Sequence, residues 1–301
     1  MLMKKSKSVI GEAYIVISAI LFGLMPLLSK IAYQHGSNPY TVAFGRFAIG
    51  SFVLFIFVWL IPDCHIFITK KQVVEFIKLS VFYGAMPIFL YESYDLIDTG
   101  LATTLHFIYP VVVIIISAVF CKTALNKKQI ACTIICMVGI SSLYTPKGSV
   151  AIMGIFLAGI SGVVYAMYIV LLGRSQIQQL HPFVISFWVA FFAAIEIGIT
   201  GLVTNHLTFC LDATAWISEC LLAILTTGIA LVLFQRGVFL CGDIKASLLS
   251  AFEPITGIMI GILIFQEKIA IKEVIGIILI IISALVLVLD KREMDSSKVK
   301  K

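Results

Sequence analysis

The stretch LATTLHFIYPVVVIIISAVFC, Leu101–Cys121, has no Asp, Glu, Lys or Arg in 21 residues and carries a proline, Pro110, near its middle. About 20 apolar residues in a helix cross the ~30 Å hydrocarbon core of a bilayer. A second such stretch, KASLLSAFEPITGIMIGILIF, Lys245–Phe265, lies 144 residues further on and brings Pro254 to the place of Pro110. Ala102 meets Ala246 and Leu105 meets Leu249 at the same offset. These two stretches set the reading of the whole chain as apolar spans arranged in two copies.

Composition carries that reading outward. The chain has 301 residues, 60% apolar and 13% charged, with a mean hydropathy of +1.08. A soluble domain needs more polar surface than that. The net charge of +6 sits mostly in short loops and tails, so it speaks of membrane orientation and not of nucleic acid. The opening Met1-Leu-Met-Lys-Lys-Ser-Lys7 has the look of a signal peptide, yet Gly11–Tyr33 is long for an h-region and no small-residue cleavage site follows. It reads as an uncleaved first helix. The seven cysteines are scattered and make no zinc pattern; Cys132 and Cys136 read as small hydrophobes. No metal or cofactor is expected.

Ten helices are predicted, at 10–33, 39–60, 73–96, 99–120, 129–144, 151–172, 183–204, 216–240, 245–265 and 273–290. Polar breaks separate them: His35–Pro39, Asp95–Gly100, Tyr144–Gly148 and Gly242-Asp243. The tail, residues 291–301, reads as disordered and cytoplasmic. With the N-terminus inside, fifteen Lys and Arg fall on the cytoplasmic side, four outside and three within spans. Basic residues stay cytoplasmic in short loops, so an even number of helices with both termini inside is predicted, in the cell membrane.

The offset of 144 also matches Gly84 to Gly228 and Leu96 to Leu240, while an offset of 143 matches Ser18 to Ser161, Phe22 to Tyr165, Pro39 to Pro182 and Phe44 to Phe187. Five helices per copy is an odd number, so the second copy crosses the membrane inverted, as in many secondary transporters. Residues 1–148 form the first five-helix copy and 149–290 the second.

The segment Ser18-Ala-Ile-Leu-Phe-Gly-Leu-Met-Pro-Leu-Leu-Ser-Lys30, then Asn38-Pro39 and Phe44-Gly-Arg-Phe47, resembles the opening of the EamA family of drug/metabolite transporters. Glu253-Pro254 followed by Phe265-Gln-Glu267 resembles the corresponding part of the second copy. The resemblance covers essentially the whole chain. It implies an all-α, ten-helix, five-plus-five inverted fold and the movement, often export, of amino acids or other small metabolites. The chain departs from the family in two places. The acidic residue that ends helix 4 in the family falls near Thr123, beside Lys122, and Phe22-Gly23 stands where Trp-Gly is common.

Ionisable groups inside a span are costly and mark function or pairing. Those here are Arg46, Glu92, His106, Glu196, Arg236 and Glu253. Depth along the helices predicts a cluster of Arg46, Glu92 and His106 near the outer side and a pair of Arg236 with Glu253 near the inner side. Tyr83, Tyr109, Tyr165 and Gln235 are predicted to line a central cavity, since a tyrosine offers an apolar ring and a donor. His106, Glu196 and Glu92 are candidate proton carriers. Gly257-Ile-Met-Ile-Gly261 has the spacing of a helix-packing motif, which makes a homodimer a candidate assembly.

The pattern thus points to a secondary transporter that carries a small organic solute, amino-acid-like or amphipathic, through a site between the two copies. Its expected partners are the lipid bilayer, the solute and a coupling proton. The competing readings are a membrane enzyme, a receptor, and a nucleotide-sugar or phosphometabolite exchanger. The enzyme lacks a metal cluster or a phosphate-cradling loop, and no catalytic residue is expected. A receptor has no need of an inverted repeat. An exchanger of phosphorylated solutes needs more cavity cations than Arg46, Arg236 and Lys78, which Glu92, Glu196 and Glu253 offset.

Overall fold

A computed structural model describes residues 2–62, 64–97, 99–123, 125–143, 151–265 and 270–289. Among these there is no strand. The predicted break at Tyr144–Gly148, the boundary between the copies, Gln266-Glu267 and the tail lie outside the described residues.

The helices in chain order are α1 Leu2–Phe22, α2 Met25–Gln34, α3 Pro39–Leu60, α4 Lys70–Leu96, α5 Thr99–His106, α6 Tyr109–Val119, α7 Lys127–Ser142, α8 Ile152–Arg174, α9 Pro182–Val203, α10 Ala213–Leu222, α11 Leu231–Cys241, α12 Asp243–Leu249, α13 Phe252–Phe265 and α14 Ile271–Leu289. A π-helical segment, Ala223–Ala230, joins α10 to α11 without a loop, and a 3-10 turn, Gln176–Gln179, precedes α9.

Helix starts follow local chemistry. Asn38 accepts from the Thr41 backbone N–H at 2.9 Å, with Pro39 as the first helical residue. Thr69 with Gln72, and Asn126 with Gln129, form reciprocal caps at α4 and α7. Asp212 accepts from the Ala215 N–H at 2.8 Å and starts α10. Gly242, at a φ of +88°, makes the sharp turn from α11 into α12, a conformation costly for any side-chain-bearing residue.

Among the described residues, eight helices are long and apolar enough to cross a membrane: Val9–Gln34, Pro39–Leu60, Lys70–Leu96, Thr99–Val119, Ile152–Arg174, Pro182–Val203, Ala213–Cys241 and Ile271–Leu289. The other two of the ten predicted spans are shorter or broken. Helix α7 has 16 residues, about 24 Å at 1.5 Å per residue. The predicted span 245–265 divides at Ser250-Ala251 into α12 and α13.

Similar breaks occur at Gly23-Leu24 and at Phe107-Ile108. A proline follows each one: Pro26, Pro110 and Pro254. Proline has no N–H, so the carbonyl four residues back loses its helical donor. Glycines let neighbouring helices approach those places. A side chain at Gly162 of α8 would collide with the His106 carbonyl oxygen, and one at Gly23 would lie 2.7 Å from the Glu253 carbonyl oxygen. Helix α4 packs most extensively on α8, and α3 on α9. The break of the first span thus lies against α13, and the end of α5 against α8.

Candidate functional site

The breaks bring side chains to one small cavity, lined by Phe22, Met25, Arg46, Tyr83, Met86, His106, Tyr165 and Glu253. Phe22 and Met25 flank the break of the first span, His106 ends α5, and Glu253 lies two residues into the fragment α13. Arg46, Tyr83 and Tyr165 come from the unbroken α3, α4 and α8.

Arg46 is fully buried. Its Nη2 donates to the Tyr83 hydroxyl at 2.8 Å and its Nε to Thr227 Oγ1 at 3.4 Å. Among the described residues its Nη1 has no hydrogen-bond partner within 3.5 Å, and the Tyr91 hydroxyl stands close to the guanidinium. The guanidinium carbon lies 4.9 Å from the Phe47 ring centroid and 5.8 Å from that of Phe22, within cation–π range. Glu253, also buried, lines the same cavity. One cavity thus presents a cation with a spare donor and a carboxylate.

His106 Nδ1 lies 2.8 Å from Ser161 Oγ, and that hydroxyl donates its single proton to the Ala158 carbonyl at 2.6 Å. The hydroxyl must accept from the ring, which assigns the Nδ1–H form and leaves Nε2 as the lone pair. The ring lies 5.5 Å from Tyr165 and 5.4 Å from Tyr109. Tyr83 stacks on Tyr168 at 4.5 Å, and Tyr165 stacks on Phe234 at 5.9 Å. Gln235 locks this aromatic wall: it donates to Tyr168 Oη at 3.0 Å and accepts from Ser186 Oγ at 2.7 Å.

The predicted charge pairs differ from the geometry. Glu92 is half-buried, takes the Tyr40 hydroxyl as its partner and does not line the cavity. Arg236 is half-buried on α11 and does not line it either. Among the described residues no ion pair joins Arg46 to Glu92 or Arg236 to Glu253. Depth was read along straight helices; it carried no information on which way each residue faces, and the breaks re-aim His106 and Glu253 toward Arg46. Glu196 stands apart, its buried Oε2 next to Gly84 of α4 and without a hydrogen-bond partner. Of the predicted residues, Arg46, Tyr83, His106, Tyr165 and Glu253 share the cavity, Tyr109 and Gln235 stand behind it, and Glu92, Glu196 and Arg236 lie elsewhere.

Several polar residues were not singled out in the sequence. Glu12 and Lys245 form a buried ion pair at 2.8 Å, joining α1 to α12. Arg174 Nη2 lies 3.6 Å from Asp243 Oδ2 and donates to Thr123 Oγ1 at 2.9 Å, and Ser117 donates to Asp243 at 3.0 Å. At the opposite end His35 Nδ1 lies 2.6 Å from Asp212 Oδ2, and Ser37 donates to the buried Glu219 at 2.7 Å. Gly242-Asp243 reads as a break in the sequence and Lys245 as the first residue of the next span, whereas α12 starts at Asp243 itself and buries Lys245. Glu219 falls only three residues into the predicted span 216–240, but α10 starts at Ala213 and buries it. No group of three metal-ligating side chains occurs among the described residues.

The family model described as "EamA-like transporter family" matches this sequence twice, over residues 9–145 and 152–289. An uncharacterized transporter of Archaeoglobus fulgidus is 24% identical over 92% of this chain and 95% of its own length. An uncharacterized transporter of Synechocystis sp. is 28% identical over 70% of this chain and 65% of its own length. A solved crystal structure shares the fold, with a TM-score of 0.77 at 16% identity, over 93% of this chain and 96% of that one. The chain belongs to the EamA-like transporter family, and it is a multi-pass membrane protein.

Proposed function

We propose that this member of the EamA-like family is a secondary transporter that moves a small zwitterionic metabolite across the cell membrane by alternating access. The observation that carries the proposal is the single cavity holding Arg46, with its unpartnered Nη1, and Glu253, between aromatic walls. A solute carboxylate fits the guanidinium, which offers donors in a fixed fork. A solute ammonium fits Glu253, and an apolar side chain fits Phe22, Tyr83 and Tyr165. One buried arginine balanced by one carboxylate suits a zwitterion better than a phosphate ester, and this disfavours the phosphometabolite exchanger.

Two matches of one family model in one chain support reading it as two five-helix copies. The Lys and Arg distribution supports the inverted topology with ten spans and both termini cytoplasmic. In this reading α7 and the pair α12 and α13 supply the two remaining crossings, the broken one being tolerated because it is buried in protein. Export is the proposed direction and a proton the proposed coupling ion. No enzymatic activity is proposed.

Flux of a panel of amino acids in proteoliposomes, with and without a proton gradient, tests this. Loss of a hydrogen bond to a charged group costs about 1.5–3 kcal/mol, so Arg46→Gln is expected to weaken solute binding about ten- to a hundredfold. Glu253→Gln is expected to act similarly. Flux unchanged in both variants, or no flux of any zwitterion in the parent, overturns the assignment.

A further inference from the structure

Another buried carboxylate, Glu219, does not line this cavity. Glu219 sits six residues into α10 from Ala213, about 9 Å along the helix, and is 1% exposed. Its Oε1 accepts from Ser37 Oγ at 2.7 Å. Its Oε2 has no hydrogen-bond partner and presses on the Cα face of Gly45 in α3, where any side chain would collide with it.

The elements packed on α10 are α2, α3 and the π-helical segment. From α2 comes Tyr33, whose buried hydroxyl is also without a partner and which is flanked by Tyr91, Tyr94 and Asp95 of α4. Lys30 of α2 is exposed. From α3 come Tyr40, engaged with Glu92, and Arg46, turned toward Tyr83. The π-helical segment offers only Thr226 and Thr227. At the mouth stand His35 and Asp212, engaged with each other. Among the described residues no basic side chain forms an ion pair with Glu219. A buried carboxylate with one neutral hydrogen bond and no counter-charge is tolerable when it carries a proton.

We propose that Glu219 is a proton-binding site separate from the solute cavity, protonated when Ser37 and Gly45 close over it and released when that end of the protein opens. The proposal rests on the carrier reading, because it needs a state in which α2 and α3 part from α10. The site is mechanically joined to the cavity. Gly45, against the carboxyl, is followed by Arg46, and Arg46 bonds Thr227 in the π-helical segment that continues α10. A π-helical stretch is a place where a helix shifts register at low cost and often marks function. Loading Glu219 therefore sets the distance between α10 and α3, and with it the aim of the guanidinium. The residue 144 positions earlier, Glu75, is partly exposed and accepts from the Gln176 N–H at 3.3 Å. The two copies thus carry a carboxylate at corresponding places, one partly exposed and one enclosed.

Infrared difference spectra of the full-length protein in liposomes, taken with no solute between mildly acidic and mildly alkaline pH, test this directly. A component of the protonated-carboxyl carbonyl-stretch band is expected to titrate in the parent, to be lost in Glu219→Gln and to survive in Glu253→Gln and Glu196→Gln. A band unchanged in Glu219→Gln overturns the proposal. If that variant does not fold, Ser37→Ala serves: losing the donor is expected to move the band to higher frequency, and an unmoved band overturns the assignment. Because no solute is present, this result stands apart from the flux experiment. Zwitterion flux with a silent Glu219 sinks the proton site alone, and a titrating Glu219 with no flux sinks the solute alone.

Discussion

The two ends of the molecule are closed by different chemistry. At the α12 end a carboxylate and an ammonium are buried together, Glu12 on Lys245 at 2.8 Å, each side chain 6% exposed. At the α10 end a carboxylate is buried with only a hydroxyl, Ser37 on Glu219. Each closure is flanked by a more exposed pair, Arg174 with Asp243 at one end and His35 with Asp212 at the other. At the first, the carboxylate is buried against an ammonium. The second is neutral only with a proton bound. An alternating carrier needs two states of similar energy, and under the proposed proton site only the α10 end would respond to proton binding at its core.

The most severe way to break the comparison is to remove one member of the buried pair. Lys245→Ala leaves Glu12 enclosed without its ammonium, and losing one partner of a buried pair costs about 3–5 kcal/mol. Thermal unfolding of the detergent-solubilised protein is expected to show that loss, with partial recovery in the double swap of Glu12→Lys and Lys245→Glu. A loss as small as that of a surface pair would erase the distinction between the ends. Arg174→Ala probes the half-exposed neighbour, where 41% of the arginine side chain is accessible. Such pairs contribute about 0–1 kcal/mol, so the same assay is expected to give a shift several-fold smaller.

The smallest effect is at Asp212, and it depends on pH. The Ala215 backbone N–H, and next to it His35, hold the Asp212 carboxyl below its ordinary value. A group depressed in the folded state stabilises above its unfolded value and loses that contribution as pH falls through the folded one. Asp212→Asn is therefore expected to be slightly less stable than the parent at neutral pH, with the gap closing in acid. A gap that widens in acid would contradict the assignment.

Much of the cavity was legible before the structure. Arg46, His106 and Glu253 stand out because an ionisable group in an apolar run is expensive, and Tyr83 and Tyr165 because a tyrosine there needs a reason. Their grouping was not legible. Arg46 was matched with Glu92 and Glu253 with Arg236 by depth alone, and the actual partners depend on helix azimuth and on three proline-linked breaks. Glu12 gave a weaker signal, because an acidic residue two positions past Ile10 reads as a helix end facing water. Thr123 shows the reverse case. The family resemblance implies an acid there, and the hydroxyl that stands in its place accepts from Arg174 at 2.9 Å.

By itself the sequence determined that this chain lives in a bilayer, because ten apolar runs leave too little polar surface for water. It also marked four places where a helix could break, Pro26, Pro87, Pro110 and Pro254, because proline has no N–H to give; the structure breaks beside three of them and runs α4 unbroken through Pro87. Only the tertiary structure decided that those bends meet, that Arg46 and Glu253 share a cavity, and that Glu12 finds Lys245 while Glu219 finds only Ser37. Hydropathy is a property of each segment taken alone. Partnership between buried charges depends on rotation and approach of helices far apart in the chain, which glycines such as Gly23, Gly45 and Gly162 permit and no single segment records.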